Sequence, residues 1–186
     1  MLLLLEIQSR LSHLNEMNLM KLIKVEKVTL NIGAGKDQAR LEKGMILLNS
    51  IANATPVKTI TNKRIQEWGL RPGLPIGCKL TLRKASALKL LPRLFEAVDN
   101  KIRSTQFDNN GNLAFGIHEY IEIPGVKYDP KIGIMGLEVC ITLERPGYRI
   151  KRRRLLSRKV PTRHRITKDE AIDFMSKNFS IMVEEE

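Results

Sequence analysis

The residues best equipped for chemistry in this sequence are cations. Between Arg145 and Lys168 stand eleven Lys and Arg (Arg145, Arg149, Lys151, Arg152, Arg153, Arg154, Arg158, Lys159, Arg163, Arg165 and Lys168) and no acid. Eight of them are arginines, whose planar guanidinium matches phosphate oxygens bidentately where an ammonium is only a point charge. Apolar Tyr148, Ile150, Leu155, Leu156, Val160 and Ile166 interleave with them, which anchors the run to a fold rather than leaving it free. About six to ten phosphate contacts from such a run make binding steeply salt dependent. Nucleic acid is the first candidate partner. RNA is favoured over duplex DNA, because no helix-turn-helix or zinc-finger pattern is present and an antiparallel sheet is a common RNA platform. Aromatics make up only 5% of the chain, so phosphate, 2′-hydroxyl and shape readout are expected over base stacking.

Other constellations fail on chemistry. Gly33-Ala34-Gly35-Lys36 follows a strand and opens a helix, but a phosphate loop needs glycine where Leu30 stands and a hydroxyl where Asp37 stands. Gln38 occupies the third-glycine position of a dinucleotide fingerprint. His13, His118 and His164 lack zinc-site spacing. Glu119 and Glu122 do not form a catalytic pair, and nothing local activates Cys78 or Cys140 as a nucleophile. Two cysteines in apolar alternating runs are expected to be buried free thiols in a reducing compartment. No enzyme activity, cofactor or metal is expected.

These side chains need a scaffold. The 186 residues suit one domain with extensions. The charge of +12 divides unevenly, because outside residues 145–168 the chain holds 21 basic and 20 acidic residues. A near-neutral globule with a basic arm is the expected organisation: 1–16 an N-terminal extension, 17–144 a core, 145–186 the basic arm and a C-terminal helix. Met1–Glu16 reads as an added amphipathic segment, or as sequence upstream of a start at Met17 or Met20. It lacks the marks of a signal peptide. No run approaches the roughly 18 apolar residues of a membrane span, so a cytoplasmic protein without a membrane partner is expected.

Period-two alternation predicts strands at Val25–Ile32, Pro56–Thr61 (anchored by Val57 and Ile60), Ile76–Arg83, Leu113–Tyr120 and Leu137–Glu144. A helix capped by Asp37 is expected through about Asn53, with Leu41, Met45, Leu48 and Ala52 inward and Gly44 costing about 1 kcal/mol against alanine. A second spans Lys84–Arg103, with Leu88, Leu91, Phe95, Val98 and Ile102 on one stripe and a kink or late start at Pro92. Lys63–Pro75 is a Gly- and Pro-punctuated loop, and Asn109-Asn110-Gly111 a turn. Thr167 and Glu170 form a capping box for a last helix. The predicted fold class is α+β: a single domain, mostly antiparallel sheet packed with helices as a two-layer sandwich.

Several of these segments also resemble a known family. Val25-Glu-Lys-Val-Thr-Leu-Asn-Ile-Gly33, Thr61-Asn-Lys-Arg64, Pro75-Ile-Gly-Cys-Lys-Leu-Thr-Leu-Arg83, Phe107-Asp108 through Asn112, Phe115-Gly-Ile117 and Ile123-Pro-Gly-Val-Lys-Tyr-Asp-Pro130 occur in this order. Together they resemble universal large-subunit ribosomal protein five, and Glu144-Arg-Pro-Gly-Tyr-Arg-Ile-Lys-Arg-Arg-Arg154 looks like its archaeal branch. The resemblance covers about Met17 to Phe179. It implies a structural protein of the central protuberance that binds 5S rRNA and bridges it to large-subunit rRNA. It further implies neighbouring protuberance proteins, the P-site tRNA and a small-subunit head protein as partners. By the same resemblance Asn31, Thr81 and Arg83 contact 5S rRNA, and Lys63, Arg64 and Arg71 lie in the tRNA-facing loop. Arg145, Arg149, Lys151, Arg152, Arg153, Arg154, Arg158, Lys159, Arg163 and Arg165 are the expected rRNA phosphate contacts. Ala54 replaces a family glutamine implicated in 5S contact, and Trp68 replaces the usual Phe and reads as a packing residue. A free-standing basic RNA- or DNA-binding regulator is the alternative.

Overall fold

The computed structural model describes residues 18–184, so the expected N-terminal extension lies outside the described residues. Its centre is an antiparallel five-stranded sheet of β1 (Lys24–Gly33), β2 (Val57–Ile60), β3 (Pro75–Arg83), β5 (Leu113–Ile117) and β6 (Leu137–Glu144), ordered β2-β3-β1-β6-β5. Two helices, α1 (Gln38–Ala52) and α2 (Lys84–Glu96), lie against β1 and β3 on one side. Alternation decides which side chains meet them. Val28, Leu30 and Ile32 of β1, Cys78, Leu80 and Leu82 of β3, and Val139 and Ile141 of β6 point inward and are buried. The α+β two-layer expectation therefore holds.

Helix ends follow local chemistry. Asp37 accepts from the Ala39 and Arg40 amides to cap α1, which ends at Asn53 in the left-handed region (φ 49°) that Asn tolerates. Gly44 faces the sheet, where an added Cβ would lie 3.0 Å from Cys78 Sγ and 3.3 Å from Ile32 Cγ2. The helix thus approaches the sheet closely, and the glycine is there for packing. Overpacking at about 1–3 kcal/mol outweighs or cancels the propensity gain of about 1 kcal/mol. Gly44→Ala is therefore expected to melt no higher than the parent in a thermal denaturation.

The second helix departs from expectation. It stops at Glu96 because Asp99 and Asn100 turn the chain in the left-handed region, and Lys101–Arg103 becomes a short strand, β4. Pro92 sits inside an uninterrupted helix on its solvent side, where the carbonyl of exposed Leu88 needs no protein donor. The buried stripe is Ala87, Leu90, Leu91, Leu94 and Phe95, leaving Leu88 exposed. On the edge strand β2, Val57 and Ile60 are 61% and 60% exposed and anchor nothing, since no layer covers that edge.

The last helix, α3 (Lys168–Phe179), opens with the expected capping box: Thr167 Oγ1 accepts from the Glu170 amide, and Glu170 accepts from the Thr167 amide. It is followed by β7 (Met182–Glu184), which pairs in parallel with β4, a two-stranded ladder too short for its periodicity to register in sequence. Phe179 packs 5.5 Å from Phe95, itself 5.7 Å from Phe115, so the C-terminal helix joins the core already described.

Candidate nucleic-acid interface

The helices cover one face of the sheet and leave the other uncovered, and the outward residues of that face are set by strand register. Thr29 lies opposite both Thr81 and Cys140; Asn31 lies opposite both Lys79 and Glu138; Lys27 lies opposite Arg83 and Thr142. Asn31, Thr81 and Arg83, which sequence reasoning named separately, thus belong to three successive rows of one surface, a patch about 14 Å long at strand rise. Its groups are of the kind that meet 2′-hydroxyls and phosphates. Asn31 Nδ2 donates to Glu138 at 3.2 Å, which fixes the amide and leaves its oxygen to accept. Arg83 is held 3.3 Å from Glu26. Lys79, exposed beside Asn31, was not singled out from sequence, although strict alternation with Cys78 and Leu80 puts it on this face. A Cβ on Gly33 or Gly116, on the same face, would meet nothing within 4 Å.

The basic segment is not an arm. Tyr148, Val160 and Ile166 are buried in the common core, and their hydrogen bonds close the chain into a strap. Tyr148 donates its hydroxyl hydrogen to the His164 carbonyl and accepts from the Ile166 amide at 3.1 Å. Arg165 Nε donates to the Val160 carbonyl, Arg153 Nε to the Leu156 carbonyl, and the Arg158 amide to the Ile150 carbonyl. Lys151 lies 5.0 Å over the Tyr148 ring. Leu155 and Leu156 contribute nothing to anchorage, being exposed at the strap's outer turn.

Arg145 corrects the expected phosphate contacts. It is 5% exposed, its Nη2 lies 2.7 Å from Glu170, and its Nη1 donates to the carbonyls of His164 and Arg165. This arginine fastens the strap from beneath, and its guanidinium is committed to Glu170 and two strap carbonyls. Burial alone would raise the Glu170 carboxyl, but hydrogen bonds from Thr167 and Arg145, with the charge of Arg145, hold it below its ordinary range. Arg152 is exposed yet bridges Glu26 and Glu144 at the foot of the open face, joining strap to sheet. Arg149, Lys151, Arg153, Arg154, Arg158, Lys159, Arg163 and Arg165 are exposed and, among the described residues, have no carboxylate within 4.0 Å. The strap therefore presents a row of uncompensated cations beside the open face.

Lys63, Arg64 and Arg71 lie, exposed, on the 61–75 loop, which is a built finger. Thr61 and Leu74 close its base at 3.0 Å, Thr61 Oγ1 binds the Lys63 backbone, and Ile65 and Leu70 exchange backbone hydrogen bonds at 3.1 and 2.9 Å. Trp68, expected as a packing residue, instead stands at the tip and is exposed. Cys78 is buried as expected, whereas Cys140 is only half-buried because it lies on the open face. Burial raises both thiols, Glu138 adding to the effect at Cys140, so neither is an activated thiolate. Among the described residues no cluster of His, Cys, Asp and Glu could hold a metal, and no helix is long and apolar enough to cross a membrane.

Comparison with known proteins places the sequence in a family. A family model described as ribosomal protein L5 covers residues 18–71, and one described as the ribosomal L5P family C-terminus covers residues 75–174. The large ribosomal subunit protein uL5 of Sulfolobus acidocaldarius is 46% identical over 159 residues, spanning 86% of this chain and 89% of the relative. That of Nanoarchaeum equitans is 48% identical over 160 residues, spanning 86% and 94%. That of Methanobrevibacter smithii is 45% identical over 157 residues, spanning 84% and 92%. With family models matching residues 18–71 and 75–174 and archaeal relatives of this identity and extent, the chain belongs to the ribosomal L5 family of large-subunit proteins, in its archaeal branch, a family of structural and non-enzymatic proteins.

Proposed function

We propose that this protein binds 5S rRNA in the central protuberance of the cytoplasmic ribosome through the open face of the sheet, and large-subunit rRNA through the strap. The finger with Lys63, Arg64 and Arg71 is directed to the P-site tRNA, and neighbouring protuberance proteins and a small-subunit head protein complete the surroundings. The observation that carries the reading is that Asn31, Thr81 and Arg83, more than fifty residues apart in sequence at the extremes, share one uncovered surface, and that the strap joined to it carries cations without carboxylate partners among the described residues. Phosphate contacts from the strap supply affinity, and the fixed polar groups of the face select an RNA shape. The domain division follows the same logic: a core that positions the face, and residues 145–186 that supply anchorage.

The test is binding of 5S rRNA against an unrelated RNA of equal length at matched salt. A clear preference for 5S rRNA is expected, and equal affinity would point to a free-standing basic RNA- or DNA-binding regulator instead. Asn31→Ala and Thr81→Ala are each expected to weaken 5S binding by about 2- to 10-fold, the worth of one net hydrogen bond. Both side chains lie outside the core, so melting temperature should stay constant. A large fall in melting temperature would reassign them to folding.

A further inference from the structure

We propose that Trp68 is a stacking platform for an unpaired nucleobase of the RNA that the finger meets. The inference rests on the reading that the finger faces RNA and adds the kind of contact it makes. Trp68 is the single tryptophan of the chain and is 66% exposed, although a tryptophan ordinarily contributes its large apolar area to a core or interface. Its position is fixed by its hairpin. The Ile65–Leu70 pair closes the stem, the Gly69 amide bonds the Gln66 carbonyl at 2.9 Å, and Gly69 takes φ 64°. Leu70 is buried, so the stem is docked on the body while the indole is held out. The backbone from which the indole projects is thus fixed before any ligand binds.

Charge around it selects the partner. Lys63, Arg64 and Arg71 are exposed and, among the described residues, lack carboxylates within 4.0 Å. A Cβ built at Gly69 would lie 3.7 Å from Lys36 Cδ, so the Gly33–Lys36 turn brings a fourth cation to the residue beside Trp68. Glu67 is the single acid of the loop. A protein partner would want a broader apolar patch, but the other turn residues are Gln66, Glu67 and Gly69. An exposed aromatic on a loop that also carries exposed cations is the combination that holds single-stranded nucleic acid, with phosphates on the cations and a base on the ring. A paired base inside a helix has no free face, so the ligand is an unpaired one.

Because no other tryptophan is present, its fluorescence reports this site alone. Two dye-labelled RNAs serve as probes, a hairpin with a loop of unpaired purines and a blunt duplex of the same stem, with binding followed independently by anisotropy. The hairpin is expected to quench Trp68 emission and the duplex to leave it unchanged. Trp68→Phe should keep hairpin affinity within about threefold, since a smaller ring still stacks. Trp68→Ala should lose about 5- to 150-fold. Hairpin binding with unchanged emission, or an alanine variant that binds the hairpin as the parent does, overturns the proposal. In either case intact binding of 5S rRNA leaves the reading of the sheet face standing, whereas loss of 5S preference with Trp68 still quenched by the hairpin overturns the sheet-face reading alone.

Discussion

Replacing Arg149, Lys151, Arg153, Arg154, Arg158, Lys159, Arg163 and Arg165 together by glutamine is expected to abolish most of the salt dependence of RNA binding. Each cation that neutralises a phosphate contributes about 0.7 to 0.9 to the slope of log K against log salt, so the eight together should lower it by about 6 to 7. The parent should then lose about 10³–10⁵ in affinity between 50 and 200 mM salt, and the variant no more than about tenfold. All eight are exposed and, among the described residues, have no carboxylate within 4.0 Å. The variant loses the Arg153 and Arg165 side-chain bonds to strap carbonyls, but the strap backbone is still held by Tyr148, Val160 and Ile166 in the core, so it should remain folded by circular dichroism. Arg145→Gln should leave the slope unchanged, because that guanidinium is 5% exposed and committed to Glu170. An undiminished slope in the eightfold variant would place the phosphate contacts elsewhere.

The second large effect concerns folding. Glu170→Ala leaves the Arg145 guanidinium buried without its counter-charge, its Nε already having no hydrogen-bond partner among the described residues. Removing one partner of a buried pair costs about 3–5 kcal/mol. Glu170 is 43% exposed, so water screens part of the interaction and about 2–3 kcal/mol is expected. For a chain of this length that lowers the melting temperature by about 4–12 °C. Adding Arg145→Met should recover part of the loss by removing the stranded charge. Failure to recover any would mean that the carbonyl contacts of Arg145 to His164 and Arg165 outweigh the ion pair.

Acid should reproduce the effect reversibly. The folded protein holds the Glu170 carboxyl below its ordinary value of 4.5. A depressed folded value gives stabilisation that is complete above the unfolded value and disappears as pH falls through the folded one. The stability difference between the parent and Glu170→Gln should therefore close as pH drops below about 4.5, which pH-dependent thermal melts would show.

How much of this is legible in the sequence depends on the length scale of the interaction. Strands β1, β3 and β6 were readable because alternation over eight to ten residues is dictated by one buried face. The Asp37 cap and the Thr167–Glu170 box were readable because they are closed within a single turn of chain. The end of α2 at Asp99-Asn100 carried a local signal, two residues that tolerate the left-handed region, which the long apolar stripe masked. The β4–β7 ladder carried none, being three residues per strand and about eighty apart.

The amino-acid sequence by itself determined the α+β class, the family, the number and place of the cations, and the identity of the polar residues on the strands. All of these are properties of residue type and short-range order. Only the tertiary structure decided which cations are available. Arg145 and Arg152 read the same as their neighbours along the chain, yet one is buried against Glu170 and the other bridges Glu26 and Glu144. Likewise only the register of β1 between β3 and β6 placed Asn31, Thr81 and Arg83 on one surface, and only the docking of the finger left Trp68 outside. The physical reason is the same in each case. Charge compensation and burial depend on distances in space between residues far apart in sequence, and those distances are fixed by packing.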